Sequence, residues 1–118
     1  MAIHNELGKE AEKIAGKYLK ENDFEILEQN WRYSRYEIDF IAKKNGLLHI
    51  IEVKARNFSS AGYPEESVKK KKFRYLVNAA DEYLYRHPEY KHIQFNILAI
   101  TMFADKEPEF FMIEDVFL

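Results

Sequence analysis

The segment from Tyr36 to Arg56 reads YEIDFIAKKNGLLHIIEVKAR, two apolar-rich runs around Asn45-Gly46. Three acids, Glu37, Asp39 and Glu52, and one base, Lys54, interrupt those runs at alternating positions. Asn-Gly between such runs favours a type I′ hairpin, because both residues tolerate positive φ. Lys44 then faces Leu47, and counting outward sets Ile41 against Ile50, Asp39 against Glu52 and Glu37 against Lys54. Cross-strand partners share a face, with Cα atoms about 4.5–5.5 Å apart. One face therefore gathers three carboxylates and a lysine. The other gathers Ile38 with Val53 and Phe40 with Ile51.

Facing like charges destabilise a sheet, and a bound hard cation removes that penalty. Mg²⁺, or Mn²⁺ in its place, takes oxygens from one or two carboxylates, water and substrate phosphate. A lysine one pleat along could polarise an attacking water or neutralise charge growing on a phosphate. An acid, then Glu-x-Lys on the neighbouring strand, is the layout that metal-assisted phosphodiester hydrolysis needs. The plain alternative is a solvated face with a Glu37–Lys54 surface ion pair, worth at most about 1 kcal/mol. Ile41 and Ile50 on that face argue that something covers part of it.

The elements around the hairpin follow from periodicity. Leu7, Ala11, Ile14, Ala15, Tyr18 and Leu19 recur at helical steps and predict a helix from about Asn5 to Asn22. Its flank of Gly8, Ala11 and Ala15 is small enough for close approach. A strand is expected over Phe24 to Tyr33. After the polar stretch NFSSAGYPEE, Pro64 with Glu65 and Glu66 suits a helix start. That helix should run to Arg86, with Val68, Leu76, Ala79, Ala80 and Tyr83 on its apolar face. Further strands are expected over Ile93 to Thr101 and Glu109 to Ile113. The result is one α/β domain, residues 1–118, with a mixed five-stranded sheet in the order α-β-β-β-α-β-β.

Glu12 stands at the edge of the first helix's stripe, where it could reach the carboxylates or simply keep its head in solvent. Lys69 and Lys72 fall within the apolar arc of the second helix, while Lys70 and Lys71 point away. With Arg32, Arg35, Arg56 and Arg74 they could form a phosphate-binding patch, or their stems could snorkel. Trp31, Tyr33, Tyr36 and Tyr63 could stack on bases or belong to core and rim. His49 falls opposite Ala42, away from the carboxylates, and reads as structural.

Composition bounds the partners. The chain has 118 residues, 47% hydrophobic and 15% aromatic, with a net charge of −2. It is long enough for one real core, and its pI near 6.1 excludes a polycation that coats nucleic acid. There are no cysteines, which excludes disulfides and thiolate metal sites. The N-terminal MAIHNELGKEAEK lacks the apolar core of a signal peptide. No apolar run approaches the roughly 18 residues of a membrane span. A cytoplasmic protein without a membrane partner is expected.

Several motifs occur together in order: Gly8-x-x-Ala11-Glu12-x-x-Ala15-x-x-Tyr18-Leu19, Asn30-Trp31-Arg32, Glu37-Ile38-Asp39-x-Ile41-Ala42, Glu52-Val53-Lys54-x-Arg56, and Pro64-x-x-x-Val68-x-x-x-Lys72. From about residue 5 to residue 100 the chain resembles the YraN family of uncharacterised bacterial proteins. That family looks like a branch of the PD-(D/E)xK nucleases, with the restriction-endonuclease-like core of Holliday-junction resolvases. The resemblance implies Asp39 and Glu52 as metal ligands, Lys54 as catalytic lysine and Glu12 as an assisting helix acid. Glu37 and Lys72 match further family positions. It also implies a Mg²⁺-dependent endonuclease acting on DNA, with branched or otherwise structured DNA a candidate substrate and a homodimer by analogy to resolvases. The chain departs from the family pattern at Ala11, Asp23 and Tyr36, each in place of Gly. It departs again at Ala55 for Thr and Asn96 for Asp. The alternative function is a catalytically silent nucleic-acid-binding or protein-interaction module on the same scaffold.

Overall fold

In the computed structural model, residues 6–58 and 70–116 are described, the side chains of residues 70 and 71 excepted. The elements are α1 (Glu6–Glu21), β1 (Glu25–Tyr33), β2 (Tyr36–Lys44), β3 (Leu47–Asn57), α2 (Lys70–Arg86), β4 (Ile93–Met102) and β5 (Glu109–Ile113). Each expected element is present within a residue or two, save the start of α2. Pro64, Val68, Lys69 and Tyr63 lie outside the described residues, as does the proposed helix start.

The strands form one sheet in the order β1-β2-β3-β4-β5. β1, β2 and β3 pair antiparallel through tight turns. β3 and β4 are parallel, which requires a crossover, and α2 supplies it. β5 returns antiparallel against β4. The sheet is mixed and the architecture α/β, with the element order that periodicity predicted.

One helix covers each face. Ala11, Ala15 and Leu19 of α1 are fully buried against Phe40, Ala42, Ile51, Val53, Leu98 and Ile100. Small residues let this helix lie close: Phe40 ring carbons stand 3.8 Å from where a side chain on Gly16 would begin. Leu76, Ala79, Ala80 and Tyr83 of α2 bury Ile38, Ile41, Leu48 and Ile50 on the other face. Asn45 and Gly46 have φ of 54° and 75°, the two left-handed positions of a type I′ turn.

α1 ends in a Schellman cap. Phe24 N–H donates to the Leu19 carbonyl at 2.9 Å and Asp23 N–H to that of Lys20 at 3.2 Å. Asp23 itself takes φ 70°, the position at which a glycine costs nothing.

Candidate functional site

The β2–β3 ladder runs from Lys44–Leu47 to Phe40–Ile51 in the expected register and pairs no further. Asp39 does not pair with Glu52, nor Glu37 with Lys54. The reason is chemical: the Asp39 carboxylate Oδ2 accepts the backbone N–H of Val53 at 2.8 Å. A side chain has taken the place of a strand acceptor. On the other edge of β2 the ladder with β1 skips the same residue, pairing Gln29 with Phe40 and Trp31 with Ile38. Asn30, which would face Asp39, has φ 53°. β2 changes phase here. Ile38 packs on the α2 side with Ile41, while Phe40 packs on the α1 side with Val53. The expected Ile38–Val53 apolar pair is therefore not formed.

Glu52 lies on the α2 side, alternating with Ile51 and Val53 of the α1 side. Asp39 and Glu52 are 0% and 1% exposed. Both Glu52 oxygens are buried, and Oε2 has no hydrogen bond. The Lys72 ammonium sits 2.8 Å from Oε1 as an ion pair. Burial, reinforced by the charge on Asp39, pushes the Glu52 carboxyl above its ordinary range, and Lys72 only partly offsets this. Burial works to lower the Lys72 pKa, but Glu52, with Asp39 and Lys54 adding to it, holds it above its usual value. Lys54, half-buried, follows Glu52 by two residues on the same side of β3. Two acids and two lysines thus share one site.

Lys72, read from the sequence as a phosphate-patch residue or a snorkelling stem, pairs with the buried Glu52. The sequence carried the signal, because Lys72 shares the helical arc of Leu76, Ala79 and Ala80.

Glu12 approaches from the opposite face. Its Oε2 accepts from Asn30 Nδ2 at 3.2 Å, while its Oε1 is buried without a hydrogen bond. It therefore stands beside the residue facing Asp39, across the sheet from the Glu52–Lys72 pair. Glu37 is bound to Arg32 at 2.7 Å, its ladder partner on β1. Arg35 is exposed in the turn between β1 and β2. Arg56 lines a surface hollow with Lys54. Among the described residues no group of three acids or histidines closes into a ready-made metal cage.

The aromatics divide the plain way. Trp31 meets Tyr83 edge-on at 5.2 Å, and Tyr36 packs on Tyr75 at 5.0 Å. Tyr83 Oη donates to Glu28 Oε2 at 3.4 Å, and burial with that neighbouring charge raises the phenol pKa to about 12. His49 is structural, as expected, but its partner was not foreseen. Its Nδ1 meets Asn96 Nδ2 at 3.0 Å. Asp115 N–H and Gln94 Nε2 donate to Asn96 Oδ1 at 3.2 and 2.9 Å, which turns the amide's donor toward the ring. Burial lowers the His49 pKa, so the imidazole accepts while neutral.

These features define an α/β protein whose mixed sheet carries a buried acid–lysine cluster where its ladder lapses. The chain belongs to the family described as Uncharacterised protein family UPF0102, whose model matches residues 11–100, and this is the YraN family of the sequence motifs. It is 39% identical over 118 residues to the UPF0102 protein of Flavobacterium johnsoniae, covering 97% of this chain and 93% of that relative. It is 42% identical over 100 residues to that of Christiangramia forsetii, covering 85% and 84%. The UPF0102 protein of Persephonella marina is 40% identical over 95 residues, covering 80% and 82%. None of the described helices is long and apolar enough to cross a membrane.

Proposed function

We propose that the protein is a Mg²⁺-dependent, Mn²⁺-tolerant endonuclease of the cytoplasm, acting on DNA with branched or otherwise structured regions. One observation supports it most: Glu52 is buried beside Asp39 with one oxygen paired only to the half-exposed Lys72 and the other without a hydrogen bond. Two neighbouring buried acids with one lysine close to them, and a Glu52 oxygen left unmet, are costly unless further positive charge completes them, so the residues fit a divalent ion. Asp39 and Glu52 would hold it, and it would supply Lewis-acid charge stabilisation at a scissile phosphate. Lys54, on the same side of β3, orients the attacking water and neutralises charge on the phosphate oxygens. Glu12 assists from the α1 side beside Asn30. Arg56 binds a flanking phosphate. A homodimer would place two such sites on two strands.

The second reading, a silent module, is favoured by one feature. The Lys72 ammonium already stands at 2.8 Å from Glu52 as a resident cation.

Cleavage of branched, flapped, linear and single-stranded DNA in Mg²⁺ and Mn²⁺ decides between them. The enzyme reading expects cutting that Lys54→Ala abolishes with the fold intact, and Mg²⁺ binding that Glu52→Gln removes. Undiminished cutting by purified Lys54→Ala would sink the mechanism. No Mg²⁺ binding at millimolar concentration selects the silent module.

A further inference from the structure

The α2-side face of the sheet does not end at Glu52. Parallel pairing sets Glu52 beside Ile97, Lys54 beside Ala99 and Arg56 beside Thr101. Antiparallel pairing continues each row to Ile113, Phe111 and Glu109 of β5. Phe110 and Met112 pack toward α1, so Phe111 and Ile113 point to the same side as Lys54. Phe111 is therefore two strands from Lys54, about 10 Å at the usual strand spacing. Ala99 between them is small, and the row closes into a hollow of about 260 Å³ lined by Lys54, Arg56, Ile97, Ala99, Phe111 and Ile113.

An outward face of an edge strand normally carries polar residues. Here Phe111 is 67% exposed and Ile113 41% exposed. A ring standing free beside two cations matches the pairing of stacking surface and phosphate contact by which proteins hold single strands. A second copy of the chain is a poorer occupant. Two apolar side chains fall far short of the ~800 Å² per partner of a stable interface. The hollow is also continuous with the Glu52 row.

We infer that Phe111, with Ile113 beneath it, is a stacking shelf for an unpaired base whose flanking phosphates lie against Lys54 and Arg56. The substrate class is thereby narrowed to DNA with a single-stranded or splayed nucleotide next to the cut, such as a flap or a fork. This rests on the nuclease reading for its substrate but not for its test.

The test is fluorescence anisotropy in EDTA, so that no strand is cut, with labelled oligothymidylate and a blunt duplex of equal length. Phe111→Ala is expected to weaken oligothymidylate binding about tenfold, Phe111→Tyr to restore it, and neither to change duplex binding. Phe111 is exposed, so the fold should survive, and circular dichroism checks that it does. An unchanged oligothymidylate affinity in Phe111→Ala overturns the shelf, as does an equal loss on duplex. A wild-type dimer that Phe111→Ala dissociates in sedimentation overturns it in favour of self-association. Failure of the catalytic reading looks different: Lys54→Ala would still cut, while the Phe111 result stood.

Discussion

The Asp39 carboxylate accepts the backbone N–H of Val53 at 2.8 Å, standing in for a carbonyl where the β2–β3 ladder stops. Asp39 is therefore a structural acceptor as well as a candidate metal ligand. Replacing it with Ala leaves a buried N–H without a partner, at a cost of about 1–3 kcal/mol. Asp39→Asn keeps an oxygen for that N–H and should cost less. Urea unfolding of both variants, with hydrogen exchange at the Val53 amide, checks this. Equal stabilities for Ala and Asn would contradict it. Asn is accordingly the variant for metal-binding measurements.

Glu52 links stability to pH. Burial first, then Asp39, raises its folded-state pKa above the unfolded 4.5. The folded state thus holds this proton more tightly than the unfolded chain. The stabilisation is complete below 4.5 and is lost as pH rises through the folded value. At neutral pH and without metal, Glu52→Gln should melt at a higher temperature than the wild type. The gap should close in acid, below the unfolded pKa. Melting curves in EDTA across that range read it directly. A Gln variant less stable at neutral pH would show that the ion pair with Lys72 outweighs burial.

Much of this site could be read in the sequence, and the unread part has a definite cause. Alternation in β3 placed Glu52 and Lys54 on one side, and Asn45-Gly46 fixed the hairpin register, because both rest on local geometry. The lapse at Asp39 does not. An aspartate that replaces a backbone acceptor breaks the two-residue period, so Ile38 moved to the face opposite the one expected. Asn30 held a hint, since asparagine is among the few residues that enter the left-handed region readily. The partner of Lys72 was legible only as an arc on a helix. Which acid it meets depends on how α2 crosses the sheet, a tertiary fact.

Lys72 is 40% exposed, so its pairing with Glu52 is partly screened. Lys72→Ala leaves two neighbouring buried acids with less compensation and should cost about 1–2 kcal/mol at neutral pH, below the range for fully buried pairs. If the ammonium holds the place of a divalent cation, Mg²⁺ should recover that stability. The double variant Lys72→Ala, Glu52→Gln should show no such recovery. Thermal melts with and without Mg²⁺ separate the cases.

The cap of α1 offers a gain. Asp23 holds φ 70° at the C′ position, beside the negative end of the helix dipole. Asp23→Gly removes the left-handed penalty and the adverse charge, against a more flexible unfolded chain. A net increase of about 0.5–1 kcal/mol is expected in urea unfolding. No gain would mean that the aspartate side chain contributes to the cap.

Asn96, one of the departures noted in the sequence motifs, is held by three hydrogen-bonding neighbours. The amide donor faces His49 Nδ1 because Asp115 and Gln94 both donate to its oxygen. Burial, partly opposed by Glu114, depresses the His49 pKa below 6.5. The unfolded chain therefore binds this proton more readily, and stability present above 6.5 falls as pH drops through the folded value. An Asn96→Asp substitution keeps the oxygen for Asp115 and gives the imidazolium a carboxylate. It should raise the His49 pKa, measurable by NMR titration of the ring protons, and preserve stability just below 6.5, where the wild type begins to lose it. A His49 pKa that stays depressed in the variant would mean that desolvation outweighs the new charge, and that the buried histidine is neutral whichever residue faces it.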